Sequence, residues 1–424
     1  MIGSKKLAVV GLGYVGLPLA ICLSQKFEVV GFDIDEVRVE ELSNGVDKTG
    51  EVEPADIGRS NVFFTSDIRN IDQCDPIIIC LPTPISCESE PDMSAIMRFL
   101  EVCCAEIDIY RRTFVFESTV FPGATRDVFG SKITELTSLT LNEDYFLGYS
   151  PERINPGGSG PKLEEIVKIV AGSNEETLAR LVDIYSSVIQ KVVIAESLEY
   201  AEAAKVIENA QRDVNIAFMN DLSQFFQAID LRTDKVLELA ATKWNFINFK
   251  PGLVGGHCIG VDPYYLIWKA EQKGIDLELI QAARKINENV KNRVIAVIDA
   301  LANSRAQRSL PLKVLFCGLT FKENCPDFRN SMALEICSLL ASRFQVSAFD
   351  PFITEKGLGN VEFEQITSVP SLGACDTPDV IIFAVAHQIF LNMAWEEVFD
   401  FCKADIAIVD LVGVLPHKDA IFRL

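Results

Sequence analysis

The residues best suited to chemistry in this 424-residue chain gather around one thiol. The run Gly255-Gly256-His257-Cys258-Ile259-Gly260-Val261-Asp262-Pro263 sets a cysteine in a turn whose glycines allow close backbone approach. A cysteine attacks as its thiolate, so a neighbouring cation would help it. Lys205 and Asn209 lie four apart in a helical pattern, hence on one face, where a Lys and an Asn together can stabilise a developing oxyanion. A solvated helix face is the plainer reading of the same spacing. Glu152, within Ser150-Pro151-Glu152-Arg153, follows a strand pattern and could activate a water; an ordinary loop acid is the alternative. His257 suggests a Cys-His dyad, but adjacent residues in an extended turn usually point apart. Far upstream, Gly11-Leu12-Gly13-Tyr14-Val15-Gly16 is a dinucleotide-type turn. Thiol and turn together point to an oxidation in which the substrate is held on sulfur while hydride leaves.

The elements that must position these groups follow from the apolar pattern. Residues up to about 195 alternate between short apolar runs and helical patterns, as a parallel sheet with crossover helices does. Strands are predicted at Lys6–Val10, Glu28–Phe32, Pro76–Leu81, Thr113–Glu117, Tyr145–Tyr149 and Val167–Ala171. The first runs straight into the glycine turn, and a helix pattern starts behind it, so amide donors and partial positive charge would meet a pyrophosphate. The second ends at Asp33, where a carboxylate accepts both ribose hydroxyls and repels a 2′-phosphate, which favours NAD over NADP. Leu81-Pro82-Thr83-Pro84 and Glu117-Ser118-Thr119-Val120 end two further strands on the ligand side of such a sheet. From Ser197 to Asp230 an Ala/Glu-rich stretch without Gly or Pro predicts one long helix, and a second is expected from Leu277 to Ser304. A polar connector, Ser304 to Pro311, marks a boundary, after which strands are predicted at Lys313–Gly318, Gln345–Asp350, Asp379–Ala384 and Ile406–Leu411. The fold class is α/β, with two Rossmann-like doubly wound parallel-sheet domains joined by a long central helical segment. Its expected divisions are 1–198, 199–303 and 304–424.

Bulk composition narrows the partners. A net charge of −21 argues against nucleic acid and anionic membrane surfaces, so an anionic ligand needs a local cluster of Lys, Arg and helix N-termini. Twelve cysteines without a Cys-x-x-Cys, and only three histidines, give a metal site little support; none is expected. So many thiols suit a reducing cytoplasm. Lys5-Lys6 and the uncharged stretch Leu7 to Leu23 imitate a signal peptide, but Gly11, Gly13, Gly16 and Pro18 fit strand, turn and helix better. No other stretch approaches a membrane span. His387 and His417, near the last strand ends, have no evident catalytic partner.

In order along the chain stand Gly11 to Pro18, Glu117 to Val120, Ser150 to Arg153, Lys205 with Asn209, Gly255 to Asp262, and Phe321-Lys322-Glu323-Asn324 with Asp327 and Arg329. Over nearly its full length the chain thus resembles the UDP-glucose/GDP-mannose dehydrogenase family. The form Gly-His-Cys-Ile-Gly-Val-Asp-Pro-Tyr-Tyr resembles the branch acting on UDP-N-acetylhexosamines. The resemblance implies a four-electron oxidation of a sugar C6 alcohol to a carboxylate with two NAD⁺ in succession. It implies that Cys258 forms a thiohemiacetal whose oxidation gives a thioester. Lys205, Asn209 and Asp262 would stabilise oxyanions and place water, while Glu152 and Thr119 would orient the hydrolytic water.

For the cofactor the resemblance implies Gly11, Gly13, Tyr14, Val15, Gly16, Asp33, Arg38, Pro82, Thr83, Thr119 and Arg329. For the substrate it implies Glu152, Arg153, Lys205, Asn209, Gly255, Gly256, His257, Arg284, Phe321 and Lys322, with Lys322 toward the UDP and Arg329 toward the NAD. Arg284 would act near the substrate, across a subunit interface in a homodimer or higher homo-oligomer. Two positions depart from the family pattern. UDP-glucose relatives carry a second glutamate where this chain has Pro156, and the branch often has Gly-Arg where this chain has Ala283-Arg284. UDP-GlcNAc or UDP-GalNAc is favoured over UDP-ManNAc or UDP-glucose, with surface polysaccharide synthesis as the context. A two-electron dehydrogenase of the 6-phosphogluconate or β-hydroxyacid type is the rival enzyme, and a silent sugar-nucleotide sensor the rival from another class.

Overall fold

The computed structural model describes residues 6–154, 160–304, 312–352, 366–393, 406–415 and 422–424. Pro156, the connector at 305–311 and His417 lie outside the described residues. The chain forms two compact units, 1–208 with 264–276, and 209–263 with 277–424. The division falls inside the long helix Leu198–Ala228 and again inside the helix Asp262–Glu271.

The first unit holds an eight-stranded sheet: β1 (Lys6–Val10), β2 (Glu28–Phe32), β3 (Val62–Thr65), β4 (Ile77–Ile79), β5 (Thr113–Phe116), β6 (Phe146–Tyr149), β7 (Lys168–Gly172) and β8 (Val192–Ile194). Their order is β3-β2-β1-β4-β5-β6-β7-β8. Strands covered on both faces read as continuous apolar runs, and β1 and β4 are buried throughout the apolar part of each. Each fully buried Ile of β4 contributes about 1.5–3 kcal/mol of burial. All neighbours pair in parallel except β6 and β7, which run antiparallel with Gly148 opposite Gly172 and Tyr149 opposite Ala171. The sequence pattern predicts each of these strands except β3 and β8, but not the reversal at β7, since an apolar run looks alike in either direction.

The second unit carries a six-stranded parallel sheet: β9 (Lys313–Cys317), β10 (Gln345–Phe349), β11 (Ile366–Ser368), β12 (Val380–Phe383), β13 (Ala407–Asp410) and β14 (Phe422–Arg423). Its order is β11-β10-β9-β12-β13-β14. The helices Leu198–Ala228 and Glu278–Ser304 form where their patterns predict them. Val290, Val294 and Ile298 of the latter, four apart, enter the core against β9 and β12. Among the described residues, no helix is long and apolar enough to cross a membrane.

Candidate active site

In the first unit, β1 delivers Gly11 in the left-handed region at φ +86°, which only glycine enters without strain. The turn is so tight that a Cβ on Gly16 would strike the Gly11 carbonyl, while a Cβ on Gly13 would meet nothing within 4 Å. Gly13 is exposed, and Tyr14 and Val15 are partly exposed. The helix Gly16–Ser24 starts behind Val15 with no side-chain cap. By contrast Asp35 caps the helix Glu36–Ser43, Asn174 caps Glu175–Ser186, and Ser331 caps Met332–Ala341. Of the first helical residues, Leu17 donates its N–H to the Gly13 carbonyl at 3.2 Å and Pro18 has none, so the open glycine and the positive end of the helix are what suit a pyrophosphate.

Asp33, partly exposed at the end of β2, accepts from Leu12 N at 2.8 Å and Asp35 N at 3.0 Å. Arg38 clamps the turn from the other side, donating through Nε and Nη2 to the Leu12 carbonyl (3.0 and 2.9 Å) and pairing with Asp47 at 2.7 Å. Arg38 therefore shapes the glycine turn from behind. Thr83 donates to the Thr119 carbonyl at 2.7 Å, so the loop containing Pro82 and Thr83 is joined to the next strand end. Tyr265 then donates to the Thr83 carbonyl at 2.6 Å, which locks the second tyrosine of the Pro-Tyr-Tyr signature onto this edge. These residues fit NAD: an open glycine, the positive end of a helix and a partly exposed carboxylate occupy one sheet edge.

Glu152 is partly exposed, one strand further along. Burial raises its carboxyl above the ordinary range, with Lys168 and Lys205 pulling the other way. Its carboxylate accepts from Ile154 N, and its own N–H donates to the Glu117 carbonyl at 3.3 Å. Arg153 pairs with Glu208 and donates to the Val167 carbonyl at 3.0 Å, which holds it against the long helix. Lys205 is buried on that helix rather than solvated. Three residues earlier, Glu202 is fully buried and accepts from Gly123 N at 2.5 Å and Thr125 N at 2.8 Å. Burial lifts Glu202 to about 7 against those hydrogen bonds.

In the second unit, Asn209 donates to Asp262 at 2.6 Å, and both are buried. Cys258 is exposed, and its carbonyl accepts from Val261 N at 3.0 Å and Asp262 N at 2.8 Å, the start of the helix Asp262–Glu271. The turn is built on its glycines. Gly256 has φ +82°, and a Cβ there would lie 2.5 Å from the Phe321 ring, while its N–H donates to the Asn330 carbonyl at 3.0 Å. A Cβ on Gly255 would lie 2.7 Å from that same Asn330 carbonyl. His257 stands edge-on to Phe321 (5.9 Å between ring centroids) and 3.8 Å from Asp327. Burial and then Arg329 lower its pKa. The geometry gives His257 an acidic neighbour and an aromatic one.

Arg329 donates through Nε and Nη2 to Asp327 (3.0 and 2.7 Å) and keeps an exposed side chain, and Lys322 is partly exposed. Burial opposes ionisation of Asp327, yet Arg329 holds it below its ordinary pKa. Arg284 is buried and paired with Asp213 at 2.7 Å, beside Asn287 on the same carboxylate. His387, unpartnered in the sequence reading, is fully buried; its Nδ1 accepts from Asn324 N at 3.0 Å, which leaves Nε2 to donate to Asp350 at 3.1 Å. Asp350 also accepts from Leu319 N at 2.6 Å and Phe352 N at 2.9 Å, as Asp33 accepts from Leu12 and Asp35 in the first sheet. Among the described residues, no group of three His, Cys, Asp or Glu could hold a metal ion.

Three domains of one family match the chain in order. Residues 5–189 match the NAD binding domain of the UDP-glucose/GDP-mannose dehydrogenase family, 199–289 its central domain and 315–417 its UDP binding domain. The chain belongs to that family. It is an NAD-dependent nucleotide-sugar dehydrogenase. It is 42% identical over 423 residues to UDP-N-acetyl-D-glucosamine 6-dehydrogenase of Pseudomonas aeruginosa, covering 99% of each chain. It is 39% identical to Protein CapL of Staphylococcus aureus, covering 97% of this chain and 96% of that one. The UDP-D-ManNAc dehydrogenase structure from Pyrococcus horikoshii superposes with a TM-score of 0.87 at 27% identity, covering 99% and 98%.

Proposed function

We propose that the enzyme oxidises a UDP-N-acetylhexosamine, UDP-GlcNAc in particular, at C6 through to the uronate. The observation that carries this reading is Cys258, exposed in a glycine-built turn whose following Asp262 is buried and held by Asn209. The 42% likeness to a UDP-N-acetyl-D-glucosamine 6-dehydrogenase supports the sugar, against 27% for the UDP-D-ManNAc enzyme. The likeness to CapL supports surface polysaccharide as the destination, and free thiols suit the cytoplasm.

In this reading the Gly11–Gly16 turn, the positive end of the helix Gly16–Ser24 and Asp33 would hold NAD, which when bound would supply the hydride acceptor for the sugar carbon. Cys258 adds to the C6 aldehyde as a thiohemiacetal, its proton passing to the sugar oxygen, so the aldehyde cannot escape; a second NAD⁺ bound at the same place would take the remaining C6 hydride, which leaves the acyl group on sulfur as a thioester. The helix beginning at Asp262 favours negative charge just ahead of it, where Cys258 stands. Lys205 and Asn209 stabilise the developing oxyanions, and Asp262 orients Asn209. Glu152 and Thr119 orient the water that releases the acid. Lys322 and Phe321 serve the UDP side and Arg329 the NAD side, which gives an acidic protein local cations for anionic ligands.

By the same reading 1–198 binds NAD, 199–303 carries Lys205 and Cys258, and 304–424 binds the UDP moiety. The enzyme works as a homodimer through the long helix. Tyr200 and Ile207 in the first unit, and Phe218 and Phe225 in the second, are exposed there at a spacing of 7, which puts each pair on one face of its part of the helix. The deciding experiment counts NADH per UDP-GlcNAc consumed, for the parent and Cys258→Ser. Two NADH per sugar and loss of uronate in the variant, with NAD binding intact, are expected. One NADH per product, or a variant that turns over near the parent rate, overturns the covalent reading.

A further inference from the structure

Lys168 opens β7 with 2% of its surface exposed, and no step above employs it. Its ammonium donates to Glu117, to the Ser150 carbonyl at 3.2 Å and to the Pro151 carbonyl at 3.2 Å. An ammonium has three donors, and these partners use all three. The Tyr185 ring lies 5.5 Å away, and its hydroxyl donates to the other Glu117 oxygen at 2.5 Å. Glu117 is as deeply buried as the lysine, and its carbonyl accepts from Glu152 N. One cation therefore binds together the end of β5, which leads to Thr119, and the end of β6, which leads to Glu152.

The reversed direction of β7 makes this possible. In a parallel sheet the first residue of a strand lies at the edge away from the ligands. Because β7 runs antiparallel to β6, extending their register from Gly148–Gly172 sets Lys168 opposite Glu152, at the ligand edge. A buried ion pair is a poor stabilising device compared with apolar residues of similar volume. Its distinctive contribution here is a fixed position and a fixed charge beside Glu152, which otherwise faces Lys205 as a cation and Glu117 as a like charge.

We propose that Lys168 is a positioning residue for the hydrolytic half of the reaction, fixing the Ser150–Glu152 loop and with it the site of the attacking water. In that half the water oxygen bonds to the thioester carbon and the C–S bond breaks. One proton passes to sulfur and the other to solvent, and the carboxylate leaves without any change in oxidation state. The inference rests on the water-orienting role proposed above for Glu152.

The test compares the full-length parent with Lys168→Met, Lys168→Arg, Glu152→Gln and the double variant Glu117→Gln/Lys168→Met, using UDP-GlcNAc and NAD. Lys168→Met is expected to lower kcat by about 10- to 100-fold. KM for both substrates stays within about twofold, and a covalent adduct on Cys258 accumulates in acid-quenched samples read by intact-protein mass spectrometry. Lys168→Arg recovers most of the rate, because a cation again reaches the same acceptors. If Lys168→Met does not fold, the double variant, which leaves no unpaired buried charge, is read in its place and gives the same slow rate and adduct. Turnover within about threefold of the parent, or slow turnover without adduct, overturns the inference. Glu152→Gln separates the two readings. If it is slow with adduct while the Lys168 variants are not, only Lys168 is misassigned; if it turns over at the parent rate, the Glu152 role falls and this inference with it.

Discussion

Glu202 ties the stability of the first unit to pH, and Glu202→Gln should remove that dependence. The carboxyl is fully buried and stands at about 7, against an ordinary value of 4.5, with burial as the leading cause. Below 4.5 the folded and unfolded chains are both protonated and the contribution to stability is fully present. Between 4.5 and about 7 the unfolded chain ionises while the folded chain keeps its proton, so stability falls as pH rises. Above that range both are ionised and the loss is complete, at about 3 kcal/mol for the separation of the two values. Glutamine cannot ionise, so the slope disappears. Its amide nitrogen would also face one of the two backbone N–H groups that the carboxylate accepts, leaving a buried donor unpaired at a cost of about 1–3 kcal/mol at every pH. The variant should therefore be clearly less stable than the parent near pH 5, with the gap closing toward pH 8. Trp268, 4.7 Å from Phe121 between ring centroids, reports on the loop that Glu202 holds. Guanidinium unfolding followed by its fluorescence, with Trp244 and Trp395 replaced by Phe, gives the two stability curves. Curves that stay parallel from pH 5 to 8 would refute the reasoning.

Two further substitutions test the second unit. Gly256→Ala puts a Cβ against Phe321 at positive φ, with about 1–2 kcal/mol from the backbone alone; kcat should fall at least about tenfold through distortion of the Cys258 turn, while NAD affinity measured by titration is unchanged. Arg284→Met strands Asp213 as a buried charge and should destabilise this unit by about 3–5 kcal/mol in denaturant unfolding; an unchanged stability with a raised sugar KM would instead place Arg284 on the substrate.

Whatever local pattern determines was readable in the chain. The continuous runs at β1, β4 and β12 gave strands, the second apolar run gave a strand ending at Asp33, and the Gly-free stretch after Ser197 gave the long helix. What depends on partners far along the chain was not. Lys168 reads as a stray charge at the head of a strand, because neither strand direction nor the distant Glu117 is written locally. Glu202 reads as one acid in an Ala/Glu-rich helix, since its partners Gly123 and Thr125 lie some 80 residues upstream. His387 lacked a partner for the same reason, with Asp350 lying 37 residues before it.

That last pair marks a difference between two otherwise similar sheets. Both sheets end a strand in an aspartate that braces a neighbouring turn. Asp33 remains partly open, whereas Asp350 is sealed and its oxygens are taken by Leu319, Phe352 and the imidazole of His387. A ribose diol approaching the second sheet would find its expected acceptor already engaged. The histidine thus acts as a stopper on the Asp350 carboxylate, one that Asp33 lacks among the described residues.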